Sequence, residues 1–316
     1  MLALTIVDRR LLVQERPDPQ PGEGQLLVRV RSAGLNRADL WQRAGGYPPP
    51  PGYPPDIPGL EFAGTVVETG PGCSRFRSGD AVMGLVGGGA QATLVAVHEV
   101  HCVPVPRGLD SIQAGGVPEV YITAHDALVS QAQARSGEKV LVQAVGSGVG
   151  VAAIQLAKRS GCTVFGTSRT AAKLEQCRRL GLDRGILLPG EDIPGDWADV
   201  VLDLVGGSYL ALDIDAATSL GRIVMLSTVG GDLAEVNLRV FMNRRLRLHG
   251  SVLRARPVAE KALAIAAFER DCLSDFEDGR LVPLIEKVVP LDHVEEAYEL
   301  LDSGTVVGKV VLAMPA

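Results

Sequence analysis

The chain has 316 residues, 46% of them hydrophobic and 22% charged, enough to bury a full core and more than one ordinary domain needs. Its 31 Lys and Arg against 37 Asp and Glu leave a formal charge of −6, which offers no general attraction for a polyanion and sets aside nucleic acid and acidic membrane surfaces as partners. No run of about 18 apolar residues occurs, and Leu2, Leu4 and Ile6 alternate from the start without a basic flank and apolar signal core, so neither a membrane span nor an export signal is expected. Cys73, Cys102, Cys162, Cys177 and Cys272 are odd in number, scattered and never spaced C-x-x-C. They predict neither a disulfide scaffold nor a structural zinc lobe, and they suit a reducing cytoplasm.

The first third reads as short strands between Gly and Pro signals: Leu26 to Val30, Gly64 to Glu68, Ala81 to Met83 and Ala92 to Val97. That is an antiparallel, barrel-like pattern. The proline-rich segment from Tyr47 to Gly59 is read as a stiff loop rather than a ligand for a recognition module. His98, Glu99, His101 and Cys102 look like a metal-ligand cluster, but strand alternation is expected to send them to different faces. Beyond about Gly115, helical runs alternate with buried-strand runs: Lys139 to Ala144, Thr163 to Thr167, Asp199 to Leu204, Arg222 to Ser227 and Leu246 to Ser251. Such β-α-β alternation predicts a parallel sheet covered on both faces. The short run Arg244 to Arg247 is read as a solvated face.

The final stretch is mixed, with a helix from about Pro257, another from His293 and a strand near Lys309 to Leu312. Asp292 and Glu295 have capping-box spacing, Val294, Ala297, Tyr298 and Leu301 form one apolar stripe, and Gly304 supplies the stop. The layout is therefore a nucleotide-type α/β domain, residues 120–252, inserted into a β-rich domain made of 1–119 and 253–316.

The strand from Lys139 runs into Val145-Gly-Ser-Gly-Val-Gly150 and then into the helix-forming Val151 to Lys158. Glycines at such a turn let backbone approach a pyrophosphate, and the amino end of the following helix receives its charge. The glycines fall at 146, 148 and 150, so a strict G-x-G-x-x-G fingerprint is absent; the alternative is a tight connection. The next strand ends in Ser168-Arg-Thr-Ala-Ala-Lys173, where an NAD-binding chain places a carboxylate for the ribose hydroxyl. Ser168, Arg169 and Lys173 offer a hydroxyl and two cations instead, which suit the 2′-phosphate of NADPH. The alternative is a solvated helix start. Ser147 and Ser227 lack a G-x-S-x-G setting, which argues against a serine hydrolase.

The chain resembles the zinc-free quinone oxidoreductases, the zeta-crystallin-like branch of the medium-chain dehydrogenase/reductase superfamily. The matches run in order through Gly34-Leu-Asn-Arg-Ala-Asp-Leu40, Tyr47-Pro-Pro-Pro-Pro-Gly52, Gly59-Leu-Glu-Phe-Ala-Gly64, Pro118-Glu-Val-Tyr-Ile-Thr-Ala124, Ser147-Gly-Val-Gly150, Gly206-Gly-Ser-Tyr209, Leu253-Arg-Ala-Arg256 and Gly308-Lys-Val-Val-Leu312. The resemblance implies a Rossmann-type doubly wound parallel sheet domain plus a β-rich GroES-like catalytic domain, pairing into homodimers, and NADPH-dependent reduction of a quinone or related conjugated carbonyl. Zinc-dependent relatives carry Cys and His where this chain has Asn36 and Leu60, a pair that cannot replace thiolate and imidazole. Glu119 falls near their third ligand position, and no metal is expected.

By the same resemblance, Asn36 and Tyr47 line the nicotinamide end, and Thr123 approaches the cofactor. Gly146, Ser147, Gly148 and Val149 meet the pyrophosphate, and Ser168, Arg169 and Lys173 meet the 2′-phosphate. Leu226, Ser227, Ser251, Val252 and Leu253 border the nicotinamide ribose and ring, while Leu188 stands where relatives place a Tyr beside the adenosine phosphate. Tyr47 and Asn36 are either donors to the developing oxyanion or pocket wall. Two further readings stay open: an alkenal or enoyl reductase, and a low-turnover NADPH-binding regulatory protein.

Overall fold

Short strands broken by turn residues build the amino-terminal third, as its punctuation dictates. In the computed structural model, which describes residues 1–315, β1 (Leu2–Val7) and β2 (Arg10–Glu15) form a hairpin reversed by Asp8 and Arg9, both at positive φ, the backbone a tight two-residue hairpin turn demands. The long strand β3 (Gln25–Gly34) leads into α1 (Arg37–Ala44), which stops at Gly45 in the left-handed conformation. The proline-rich loop follows and enters β4 (Glu61–Thr69), then β5 (Ala81–Leu85), β6 (Leu94–His98) and β7 (Cys102–Pro104). These strands pair antiparallel, β3 with β4 and β6, and β5 with β4 and β7.

Between β6 and β7 the chain departs from the expected strand. Glu99–His101 is a single 3-10 turn, so the rings of His98 and His101 approach edge-on at 5.7 Å rather than facing apart. The two still make no ligand pair. The Nε2 of His101 meets the Val258 carbonyl at 3.1 Å, and the Glu99 carboxylate accepts from the amides of Ser74 and Arg75.

After α2 (Ser111–Ala114), capped by Asp110, comes α3 (Pro118–His125). One compact unit comprises Met1–Ile122 with the chain from Leu253 onward, and the other is Thr123–Val252. Residues 120–122 thus belong to the first unit rather than the second, because Tyr121 is buried there, with its hydroxyl on the Val282 carbonyl at 2.8 Å and its ring against Phe276.

The second unit is a six-stranded parallel sheet. Along the chain come β8 (Lys139–Val142), α4 (Gly148–Arg159), β9 (Thr163–Ser168), α5 (Ala171–Arg178), β10 (Arg184–Leu187), β11 (Ala198–Asp203), α6 (Tyr209–Ala216), β12 (Ala217–Met225), α7 (Leu238–Asn243) and β13 (Arg247–Gly250). The spatial order is β10-β9-β8-β11-β12-β13, with every neighbouring pair parallel. Strand order reverses across β8 and β11, the switch point at which doubly wound sheets hold ligands. The expected strands are present; the central residues of β8 and β11 are fully buried, whereas the outer strand β13 is largely exposed. Phe165 and Trp197 stack at 3.6 Å with Lys139 over the indole. Arg244 is not simply solvated: its guanidinium donates to the carbonyls of Ile214, Asp215 and Ala217.

The return strand explains why the first unit is discontinuous in sequence. After α8 (Val258–Glu277) come β14 (Ile285–Pro290), α9 (Val294–Asp302) and β15 (Lys309–Ala313). β15 adds antiparallel to β3 and parallel to β14, giving a seven-stranded sheet β14-β15-β3-β4-β5-β7 with β6 also on β3. Val294, Ala297 and Tyr298 face the core as expected, and Gly304 turns the chain at positive φ. The capping box does not form, because a 3-10 turn at Leu291–His293 precedes α9 and leaves His293 as a cap without a side-chain bond.

Candidate functional site

The glycine turn sits at the carboxyl end of β8, beside the switch point. Ser147 caps α4, its Oγ accepting from the Gly150 amide at 3.2 Å. The first-turn amides of Gly148 and Val149 have no partner inside the helix, as any helix start requires. Gly150 admits no side chain, since a β-carbon there would collide with the Val145 carbonyl. That close fit seats the helix directly on the strand.

A buried polar chain holds the turn from beneath. The Ala144 amide donates to Thr167 Oγ1 at 3.2 Å, Thr167 donates to Gln143 Oε1 at 2.6 Å, and Gln143 Nε2 donates to Asp213 at 2.6 Å. Burial and the neighbouring Asp203 push the Asp213 carboxyl well above its usual range. Asp203 in turn accepts from the amides of Val205 and Gly206, both at 2.8 Å, shaping the loop after β11. Sequence reading passed over these four residues. Gln143 in an otherwise apolar strand and Asp203 before a Gly-Gly pair are the signals that would have flagged them.

Apart from Thr123, which lies on α3, the other expected cofactor residues of this unit lie at the same edge of the sheet. Ser168 ends β9, nearly buried, and its carbonyl accepts from Leu188 at the end of β10. Arg169 is exposed and has no ion-pair partner among the described residues. The stem of Lys173 crosses the turn, so that a β-carbon on Gly146 would meet its Cδ at 3.0 Å. Leu226 and Ser227 follow β12, and Ser251 and Val252 follow β13, with the Ser251 amide on the Met225 carbonyl. The Thr123 hydroxyl is buried without a hydrogen-bond partner among the described residues. Leu253 differs from this set, because it belongs to the first unit and is buried there.

The first unit carries its own polar cluster. Glu61 on β4 is fully buried and paired with the ammonium of Lys309 on β15 at 2.6 Å. The same carboxylate accepts from Asn36 Nδ2 at 2.9 Å and from the Glu119 amide at 2.8 Å. Lys309 also donates to the Leu35 carbonyl and to Asn36 Oδ1. Asn36 Nδ2 reaches the Gly34 carbonyl as well, at 3.3 Å. Both amide hydrogens are thereby committed inside the protein. Asn36 is a tie between β3, β4 and β15 and has no hydrogen left for an oxyanion, which corrects its expected role as a donor.

Tyr47 is placed differently. It is half-buried in the proline-rich loop, its ring facing the Arg254 guanidinium at 4.6 Å, and its hydroxyl donates to no protein acceptor among the described residues. Burial raises the phenol above its ordinary pKa, Arg254 draws it down, and Glu119 adds a smaller upward push. The Glu119 carboxyl is pushed up to about 7 by burial and by Glu61, against Lys309 and Lys261. Asp39, whose carboxylate accepts from the amides of Asn36 and Gly59, is raised to about 6 by burial.

Comparisons with known proteins identify the family. Residues 22–107 match the family described as alcohol dehydrogenase GroES-like domain, and 148–268 the family described as zinc-binding dehydrogenase. A quinone oxidoreductase of Lama guanicoe is 32% identical over 94% of this chain and 91% of its own length. A segment of polyketide synthase GfsB of Streptomyces halstedii is 33% identical over 93% of this chain, which spans 5% of that protein. The solved quinone oxidoreductase of Coxiella burnetii superposes with a TM-score of 0.82 at 27% identity, covering 100% of this chain and 99% of that one. The chain belongs to the quinone-oxidoreductase-like branch of the medium-chain dehydrogenase/reductase superfamily.

It is therefore an oxidoreductase of a family that uses a nicotinamide dinucleotide. Leu60, set by the resemblance against a zinc-binding histidine, is buried and apolar, and Asn36, set against a cysteine, is engaged by Lys309. Among the described residues no group of three or more His, Cys, Asp or Glu side chains is placed to hold a metal ion. No helix among them is long and apolar enough to cross a membrane.

Two outcomes follow from the cluster around Glu61. Lys309→Met strands a buried carboxylate and is expected to cost about 3–5 kcal/mol in urea unfolding. Adding Glu61→Gln should return much of that loss, and no recovery in the double variant would deny that the pair is the cause. Glu119 carries the second outcome. Its folded-state pKa lies above the ordinary glutamate value of 4.5, so the folded state binds more protons between about 4.5 and 7, and its contribution is present below that window and lost as pH rises through it. Glu119→Gln should flatten this falling limb, so that the stability difference between variant and parent changes across the window; a pH-independent difference would refute the assignment.

Proposed function

We propose that the chain is a zinc-independent, NADPH-dependent quinone reductase. The reading is carried by the end of β9, where Arg169 stands exposed and unpaired and Lys173 lies across Gly146, at the place an NAD-selective chain keeps a carboxylate. Two cations and the Ser168 hydroxyl suit a 2′-phosphate, and the segment 168–173 itself carries no acidic side chain. The amides after Ser147 at the start of α4 suit the pyrophosphate, with Leu188 beside the adenosine and Leu226, Ser227, Ser251 and Val252 toward the nicotinamide. The unpartnered Thr123 hydroxyl is a further donor for that end.

The bound dinucleotide supplies the hydride. A quinone becomes its hydroquinone by taking up that hydride and one proton, and the protein's task is to orient the acceptor and stabilise the charge that grows on its oxygen. Tyr47 is the side chain proposed for this, because its hydroxyl donates to no protein acceptor among the described residues. Likeness to quinone oxidoreductases supports a quinone as acceptor. The match to a polyketide synthase segment favours a second reading in the same fold, delivery of hydride to a conjugated carbon-carbon double bond. The unpaired outer edge of β13, with Leu248 exposed on it, supports a homodimer built on that strand. Five free cysteines, four of them buried, suit the cytoplasm.

The test is steady-state oxidation of NADPH, followed at its absorbance band, with 1,4-benzoquinone, 9,10-phenanthrenequinone, an alkenal and an enoyl thioester. Saturating turnover with the quinones supports the reading, preference for the thioester supports the second, and cofactor binding without oxidation by any acceptor points to a regulatory protein. Arg169→Ala with Lys173→Ala should weaken NADPH on the order of a hundredfold, as loss of two charge-assisted bonds implies, and leave NADH nearly unchanged; equal weakening of both removes the 2′-phosphate assignment. Tyr47→Phe should lower kcat with quinone on the order of a hundredfold with cofactor affinity retained, and an undiminished kcat would demote Tyr47 to pocket wall.

A further inference from the structure

Arg254 is a buried cation that no carboxylate pairs with among the described residues. It is 5% exposed, on the short connection ahead of α8. Its guanidinium spends its donors on three separate segments: Nε on the Gly87 carbonyl at 2.7 Å, Nη1 on the Tyr47 carbonyl at 3.0 Å and Nη2 on Gln42 Oε1 at 2.7 Å. Its own carbonyl accepts from the ammonium of Lys261 at 2.9 Å, itself 2% exposed. The guanidinium is thus fixed from behind as well as in front. What it faces is the ring of Tyr47, whose other neighbour is the edge of Trp41 at 6.1 Å.

A charge taken out of water without an ion pair is costly, and a neutral side chain of similar length would fill the same space more cheaply. A cation over a tyrosine face does two things that such a filler would not: it is drawn to the ring's negative face, restricting the ring to one orientation, and its field favours the phenolate. Because the same guanidinium also holds the Tyr47 carbonyl, the backbone and the ring of one residue are clamped by one group. We infer that Arg254 is a positioning residue for Tyr47, holding the phenol in a single orientation and keeping its hydroxyl a competent proton donor. The clamp on the ring stands on the geometry alone; its catalytic consequence rests on the quinone-reductase reading.

The charged and titratable groups bearing on the pair are few. Glu119 acts on both, Asp39 and Lys261 act with Arg254, and all are carried by α1, α3 and α8 of the same unit. Of these only Arg254 lies against the ring. Burial raises the phenol's pKa and Arg254 opposes that rise, so replacing the guanidinium with a neutral group removes the opposing contribution and makes the phenol a weaker acid.

The test places 2,3,5-trifluorotyrosine at position 47 of the full chain, which brings the phenol into an accessible pH range, and follows its titration by fluorine NMR without cofactor or acceptor. Arg254→Gln should raise the midpoint by about one pH unit and broaden or split the resonance as the ring gains orientations. Arg254→Lys, which keeps the charge and loses the fork, should hold the midpoint near that of the parent while still broadening the line, and it serves if the glutamine variant does not fold. An unmoved midpoint in Arg254→Gln, or in Arg254→Lys an equal upward shift, would overturn the inference. A kinetic arm separates this from the reading beneath it. In the natural tyrosine background Arg254→Gln should lower kcat with benzoquinone at least about tenfold with the Kd for NADPH within about twofold, and in a Tyr47→Phe background it should lower kcat no further. Additive losses in the two backgrounds would make Arg254 merely structural. If Tyr47→Phe costs no rate yet the fluorine midpoint still follows Arg254, the clamp stands and the donor role of Tyr47 is what fails.

Discussion

The carboxylate of Glu61 organises the first unit. It is fully buried and meets one cation, one amide side chain and one backbone amide, drawn from β15, the entry to α1 and the start of α3. A buried carboxylate tolerates the loss of water only when its lone pairs are all engaged, so these three segments cannot drift apart without exposing an unpaired charge. The cluster therefore fixes where α1 begins, and with it the proline-rich loop that carries Tyr47. The same pairing requires the last strand of the chain to lie beside β3, which is why a domain built from both ends of the sequence closes on itself.

The second unit solves a comparable problem with neutral donors. Thr167 and Gln143 pass a hydrogen-bond chain from the start of the glycine turn to Asp213, and Asp203 shapes the loop after the neighbouring strand. In the proposed reading the turn must present its amides to a phosphate rather than relax to satisfy them internally. Support from below is what keeps such a turn open. Ala144, at positive φ without being glycine, shows how firmly the surroundings determine that backbone.

Much of this was legible from residue order. The parallel strands announced themselves as apolar runs between helical ones, and the turn at 146–150 by its glycines after a buried strand, since both signals are local. The reversed charge after β9 was equally local. What escaped were groups whose meaning lies in a distant partner: Lys309 and Glu61 are separated by most of the chain, and Arg254 meets Tyr47 only through the fold. Asn36 shows the cost of this, because its position suggested a donor while its neighbours consume both amide hydrogens. Local rules also misjudged short elements. A single 3-10 turn brought His98 and His101 together, and another displaced the capping box expected before α9, because three-residue turns leave little trace in periodicity.

The chain's two tryptophans divide between the units. Trp41 stands on α1 with its edge toward Tyr47, and Trp197 lies stacked on Phe165 below Lys139. Each indole thus samples one body alone, in a distinct electronic setting: one near a phenol, the other sandwiched between a benzyl ring and an ammonium. Intrinsic fluorescence consequently contains two separable voices, and a single Trp→Phe exchange in either body leaves an emission signal that belongs wholly to the other.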